Sequence, residues 1–149
     1  MKDKKLVKVL HVDDEENELK FTKLFLEDVD PKMKVFSVID PLEALEILRV
    51  DNYDIVLSDY KMKYLTGVEL AKEIRCFTDI PIILYTGYGS EEISEKAFKV
   101  GIDGYVRKGT CPSQYYSLAY RVRKVFENYR TRKVTSCGKD SSLQVSLSS

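Results

Sequence analysis

Short β-branched apolar runs alternate along this chain with longer segments whose apolar residues recur every three or four positions. Leu6 to Val12 predicts a first strand. Glu15 to Val29 predicts a helix, in which Phe21, Leu24 and Phe25 follow i, i+3, i+4 spacing and Leu26 and Val29 extend the apolar face. Pro31 punctuates, and Lys34 to Val38 reads as a second, half-alternating strand. Asp40-Pro41 opens the next helix, with Asp40 as N-cap and Pro41 at the first helical position. Leu42, Leu45 and Leu48 line one face of it. Ile55 to Ser58 is a third strand, and Thr66 to Arg75 a helix with Val68, Ala71 and Ile74 on one side. Pro81 to Thr86 is continuously apolar, the pattern of a strand covered on both faces. Ser90 is an N-cap candidate for a helix lined by Ile93, Ala97 and Val100, and Gly101 fits its C-terminal stop. Gly104 to Arg107 is a short fifth strand. Pro112 to Tyr129 is helical, with Tyr115, Leu118, Ala119, Val122, Val125, Phe126 and Tyr129 in register. Such strand–helix alternation predicts an α/β fold, a parallel sheet with helices on both faces.

After Arg132 the pattern stops. Residues 133–149 are rich in Ser without sustained period and read as a disordered tail, so the expected organisation is one domain over 1–132 and no output domain. A chain of 149 residues is long enough for one domain with a real core. Charged residues make up 32% and the formal net charge is zero, so bulk charge draws the chain to no nucleic acid. The basic run on the last helix, Arg121 to Lys133, fits a solvated face at a helix C-terminus. No apolar stretch is long enough for a bilayer, and Met1 to Lys5 leads straight into a strand rather than a signal-peptide core. The three cysteines, Cys76, Cys111 and Cys137, suit neither a disulfide framework nor a zinc site and read as cytosolic thiols. The expected setting is cytoplasmic, with no membrane contact.

Candidate chemistry collects where the strands end. The first strand ends in Asp13 and Asp14, the third in Asp59, the fourth in Thr86 followed by Gly87, and the fifth in Lys108. In parallel α/β folds ligands bind at that edge. Carboxylates gathered there repel one another unless a cation joins them, and an oxygen-rich site suits Mg²⁺. A lone surface Asp or strand-end Lys says little, whereas four chemically matched groups at four strand ends form a site suited to phosphate chemistry.

Val12-Asp13-Asp14-Glu15, Ser58-Asp59-Tyr60-Lys61-Met62, Gly67, Thr86-Gly87 and Tyr105-Val106-Arg107-Lys108 together resemble the receiver domain of two-component response regulators, from about Leu6 to about Tyr129. The resemblance implies a flavodoxin-like, doubly wound (βα)5 fold with a five-stranded parallel sheet in strand order 2-1-3-4-5. It implies that Asp59 is the phosphoacceptor. It further implies that Asp14 binds Mg²⁺ directly (Mn²⁺ substituting), with Asp13 acting through water and the Lys61 carbonyl and Asp59 completing the metal site. Lys108 would pair with the phosphate, Thr86 would donate its hydroxyl to it, and Gly87 would leave a path in. Thr86 and Tyr105 match the family's switch pair. Lys61 and Tyr88 occupy positions that tune loss of the phosphoryl group. The implied partners are a sensor histidine kinase, a downstream protein of unknown identity and a second copy of the chain, the last two met on the face of the fourth helix, fifth strand and fifth helix. Tyr105, Arg107 and Lys99 are candidates on that face. Direct nucleic-acid binding is not implied.

The chain departs from the family pattern in two places. Gly109 follows Lys108 where proline, often with a cis peptide, is usual, and Lys63 stands after Met62 where proline is common. Other readings fit less well. A haloacid-dehalogenase-type phosphatase needs a second Asp two residues after the nucleophile, and here that residue is Lys61. A flavodoxin needs a hydroxyl-rich loop after the first strand, whereas Asp13 to Glu16 would repel a flavin phosphate. The one histidine, His11, lies within a strand and suits a core position better than catalysis. The alternative of a different class is a protein-binding module that keeps the fold and does not use phosphorylation.

Overall fold

The computed structural model describes residues 4–87, 89–109 and 111–134 with their side chains, and 135–148 by backbone alone. The elements follow in the order β1 (Val7–Val12), α1 (Glu16–Val29), β2 (Met33–Val38), α2 (Pro41–Val50), β3 (Ile55–Ser58), α3 (Gly67–Arg75), β4 (Ile82–Thr86), α4 (Glu91–Lys99), β5 (Gly104–Arg107) and α5 (Gln114–Ser148). The strands form one parallel sheet in the order β2-β1-β3-β4-β5, the order expected.

Side-chain alternation along the strands splits the core in two. Val7, Val9, Val35, Leu57, Ile83 and Tyr85 face α1 and α5, while Leu10, Val12, Val38, Val56 and Ile82 face α2 and α3. β3 and β4 are buried along their whole length, which is why their sequences lack a polar alternation. An ion pair also ties α5 to α1: Arg123 donates from Nε (3.0 Å) and Nη2 (2.8 Å) to Asp30 Oδ2, and from Nη1 to the Lys5 carbonyl (2.6 Å).

The caps read from sequence hold. Asp40 accepts from the Leu42 N–H at 2.9 Å, and Ser90 from the Ile93 N–H at 3.1 Å. A reciprocal capping box of Thr66 and Glu69, not singled out in sequence, starts α3. Gly101, at φ 83, turns the chain out of α4.

Two helix faces differ from expectation. In α1 the residues turned inward are Leu19, Thr22 and Leu26, and Phe21 and Leu24 are exposed. Leu26 packs into the core with Val7, Val9 and Val35, and Phe25 stacks on Tyr115 of α5 at its edge with ring centroids 4.8 Å apart, which leaves Phe21 and Leu24 on the solvent side. In α2 the inward residues are Pro41, Ala44 and Leu48, with Leu42 exposed. The last helix continues past its expected end near Arg132 to Ser148. The expected Ser-rich disordered tail over 133–149 falls almost wholly on residues whose side chains lie outside those described. Among the described residues no helix is long and apolar enough to cross a membrane.

Candidate functional site

β1 and β3 are neighbours and pair in register, Val12 opposite Ser58, so the residues that follow each strand emerge side by side. Their backbones stay fixed one residue beyond the strands. The Asp13 N–H donates to the Val38 carbonyl (3.2 Å) and the Asp59 N–H to the Val12 carbonyl (3.0 Å). Lys108 leaves β5 in the same way, its N–H donating to the Thr86 carbonyl at 3.0 Å.

The Lys108 ammonium lies between the two carboxylates. Nζ is 2.8 Å from Asp13 Oδ2 and 3.2 Å from Asp59 Oδ2, with Glu18 Oε2 at 3.6 Å. The remaining oxygens are also occupied: Asp13 Oδ1 accepts from the Glu15 N–H (3.0 Å) and Asp59 Oδ1 from the Tyr60 N–H (2.7 Å). The Asp13 side chain is fully buried, while those of Lys108 and Asp59 are 14% and 13% exposed, so a small part of Asp59 meets solvent. Burial pushes the Asp13 carboxyl above its ordinary value, against the opposing pull of Lys108. Burial alone would lower Lys108; its bonds and charges with Asp13, Asp59 and Glu18 outweigh that and hold the ammonium above the usual lysine value.

Asp14 is half-buried and lines an adjoining cavity of about 230 Å³ with Ile39, Asp40, Pro41, Lys63 and Tyr64. Lys61 is exposed. Thr86 is fully buried at the end of β4. Beside it, a Cβ on Gly87 would meet nothing within 4 Å, so packing does not demand glycine there. Gly67 is different: a Cβ would lie 2.3 Å from the Asp59 carbonyl oxygen, so only glycine lets α3 approach the Asp59 backbone this closely. Tyr105 is half-buried on β5, with its hydroxyl 2.9 Å from where a Gly89 Cβ would stand. Tyr88 lies outside the described residues.

The side-chain donors at this edge are carboxylates, the oxygen-only chemistry of a hard divalent cation. Among the described residues no three Asp, Glu, His or Cys side chains are gathered at metal-ligand spacing, because Asp13 and Asp59 close on Lys108 and Asp14 lines the adjoining cavity. The donors are of the chemical kind Mg²⁺ takes, and in this arrangement they are not gathered around one point. Three further residues belong to this region and were not singled out in sequence. Glu18 meets Lys108 across α1; Tyr85 carries its ring 5.5 Å from Lys108 Nζ; Gln114 donates to the Tyr85 hydroxyl at 3.0 Å. No local motif marks them, since each acts across a long stretch of chain. Among the described residues there is no cis peptide bond.

The family model for the response regulator receiver domain matches residues 9–119. The cyclic di-GMP phosphodiesterase response regulator RpfG of Xanthomonas campestris pv. campestris is 33% identical over 109 residues, 71% of this chain and 29% of that protein. The transcriptional regulatory protein SrrA of Staphylococcus aureus is 28% identical over 127 residues, 85% of this chain and 50% of that protein. The chain thus spans half or less of the length of these two relatives. Among solved structures, the response regulator TrrA of Thermotoga maritima, in complex with Mg²⁺-BeF, superimposes with a TM-score of 0.70 at 30% identity, covering 80% of this chain and 98% of that one.

Proposed function

The chain belongs to the response regulator receiver domain family, and on that premise we propose that Asp59 accepts a phosphoryl group from a sensor histidine kinase. The observation that carries the reading is the Lys108 ammonium held 2.8 Å from Asp13 and 3.2 Å from Asp59. A carboxylate so placed is a nucleophile with a cation ready for the charge that arrives. An Asp59 oxygen attacks phosphorus, the bond from phosphorus to the donor breaks, and the donor leaves with that electron pair. Lys108, released from Asp59, pairs with a phosphoryl oxygen as a point charge. Asp13, Asp14, Asp59 and the Lys61 carbonyl are the groups that would hold Mg²⁺, with Mn²⁺ as substitute. The bound cation supplies charge neutralisation at the transferring oxygens. The Thr86 hydroxyl donates to the phosphoryl group, and Lys61 and Tyr88 set how fast water removes it.

The phosphorylated site signals through its neighbours. Thr86 moving toward the phosphoryl group gives Tyr105 room to turn inward, which changes the surface of α4, β5 and α5. A groove of about 540 Å³ lined by Ser90, Glu91, Ser94, Tyr105 and Arg107 lies between α4 and β5. A downstream protein or a second copy of the chain reads the change. The chain catalyses its own phosphorylation and slow dephosphorylation and no other reaction.

The test is intact mass after incubation with acetyl phosphate and Mg²⁺, with Asp59→Asn and a chelated sample beside it. One added phosphoryl group on the wild type, and none on either control, is the expected result. No adduct on the wild type with Mg²⁺ present would replace this reading with the phosphorylation-independent binding module.

A further inference from the structure

Gly109 follows the lysine on which the site turns, and glycine leaves the backbone there with its widest freedom. One side chain restrains it. Gln114, in the first turn of α5 and half-buried, accepts the Gly109 N–H at Oε1 and donates from Nε2 to the Tyr85 hydroxyl at 3.0 Å. Tyr85 is fully buried in β4, and burial pushes its phenol up, so it stays neutral and available as an acceptor. The same ring lies 5.5 Å from Lys108 Nζ, and the Lys108 N–H is bonded to the Thr86 carbonyl. The segment that carries Lys108 is thus pinned on one side by β4 backbone and on the other by an amide that bridges to the β4 core. A Cβ at Gly109 would stand 2.7 Å from Gln114 Oε1, the end of a flexible side chain, which would shift to admit it.

We propose that Gln114 is a positioning residue for phosphoryl transfer, which holds the Lys108–Gly109 segment and so fixes the ammonium between Asp13 and Asp59. The inference rests on the reading of Asp59 as phosphoacceptor. An amide is suited to the task, because it accepts from the glycine N–H and donates to the phenol at once. A purely structural role for Gln114 would lower stability and leave the rate of phosphorylation of the folded protein alone. A positioning role lowers that rate, since a displacement of about 1 Å at a reacting group can cost on the order of a hundredfold.

The experiment follows the time course of phosphorylation by acetyl phosphate at saturating Mg²⁺, read by intact mass, for wild type, Gln114→Ala, Gly109→Pro and the double variant. Mg²⁺ affinity is measured calorimetrically on each. Gln114→Ala is expected to slow phosphorylation about tenfold, with Mg²⁺ affinity within twofold of wild type. In the Gly109→Pro background, where the ring restrains the backbone and no N–H remains, removing Gln114 should change the rate by less than twofold. Hydrogen exchange of the Gly109 amide gives a readout independent of the proline variant. It should be slow in wild type and at least tenfold faster in Gln114→Ala. Equal rates of phosphorylation in wild type and Gln114→Ala overturn the inference, as does an equal loss in both backgrounds or unchanged exchange at Gly109. A wild type that takes up no phosphoryl group overturns the phosphoacceptor reading and the inference with it.

Discussion

His11 is the single histidine of the chain, fully buried in β1 two residues before Asp13. Burial and, after it, the charge of Lys108 lower its pKa from 6.5 to about 3. The folded protein therefore keeps His11 neutral through the physiological range, and Lys108 faces the carboxylates without a second cation behind it. The cost falls on acid stability. Below the ordinary value the unfolded chain binds a proton that the folded chain refuses, so stability contributed above pH 6.5 is lost as pH falls toward 3. Integrated from pH 7 to pH 5, that difference is about 2 kcal/mol, and any native value below about 4 gives nearly the same figure. For a chain of this length it corresponds to roughly 4–8 °C in Tm. His11→Leu removes the titration and leaves the carboxylates in place. Urea unfolding of both proteins at pH 7 and pH 5 isolates the effect as a difference of differences: the wild type should lose about 2 kcal/mol more than the variant on acidification. An equal loss in the two proteins, or a wild type more stable at pH 5, would refute the reasoning.

Three other substitutions test particular contacts. Asp30→Ala strands the buried guanidinium of Arg123 and should cost about 3–5 kcal/mol in urea unfolding, whereas a loss under 1 kcal/mol would mean the pair is solvated in solution. Gly67→Ala drives a Cβ to 2.3 Å from the Asp59 carbonyl oxygen and 2.6 Å from Leu84 Cδ1. It should cost about 1–3 kcal/mol and slow uptake of the phosphoryl group; wild-type stability and rate together would contradict the close approach. Tyr64 is the only non-glycine among the described residues at positive φ, 75°. Relief of about 1–2 kcal/mol of left-handed strain, less roughly 0.5–1 kcal/mol of glycine chain entropy, makes Tyr64→Gly neutral to about 1.5 kcal/mol stabilising by thermal unfolding, and a clear destabilisation would show that the Tyr64 ring has a packing role.

Where the chemistry is local, the sequence was legible. Asp40-Pro41 and Ser90 mark helix starts because a cap needs only its own first turn. Sheet order followed from βα alternation together with the receiver resemblance, and the carboxylate edge followed from strand ends, since register places Asp13 and Asp59 side by side. What escaped depends on distant chain. The inward face of α1 is set by packing against the sheet and α5, where Leu26 meets Val7 and Val35 and Phe25 stacks on Tyr115 ninety positions away, so spacing alone favoured Phe21 and Leu24. Glu18 and Gln114 reach the site from helices whose exposed and half-buried positions carry many similar residues, and nothing in their neighbourhood singles them out. Gly109 in place of proline was visible as a departure, while the side chain that answers it was not.

The central claim is that Asp59, and no other carboxylate of the cluster, carries the phosphoryl group. Borohydride reduces an acyl phosphate to the alcohol, so treatment of the acetyl-phosphate-reacted protein followed by peptide mass mapping reads the site directly. The account predicts homoserine at position 59 and unaltered aspartate at Asp13 and Asp14. Reduction at Asp13 or Asp14, or none in the presence of Mg²⁺, would contradict it.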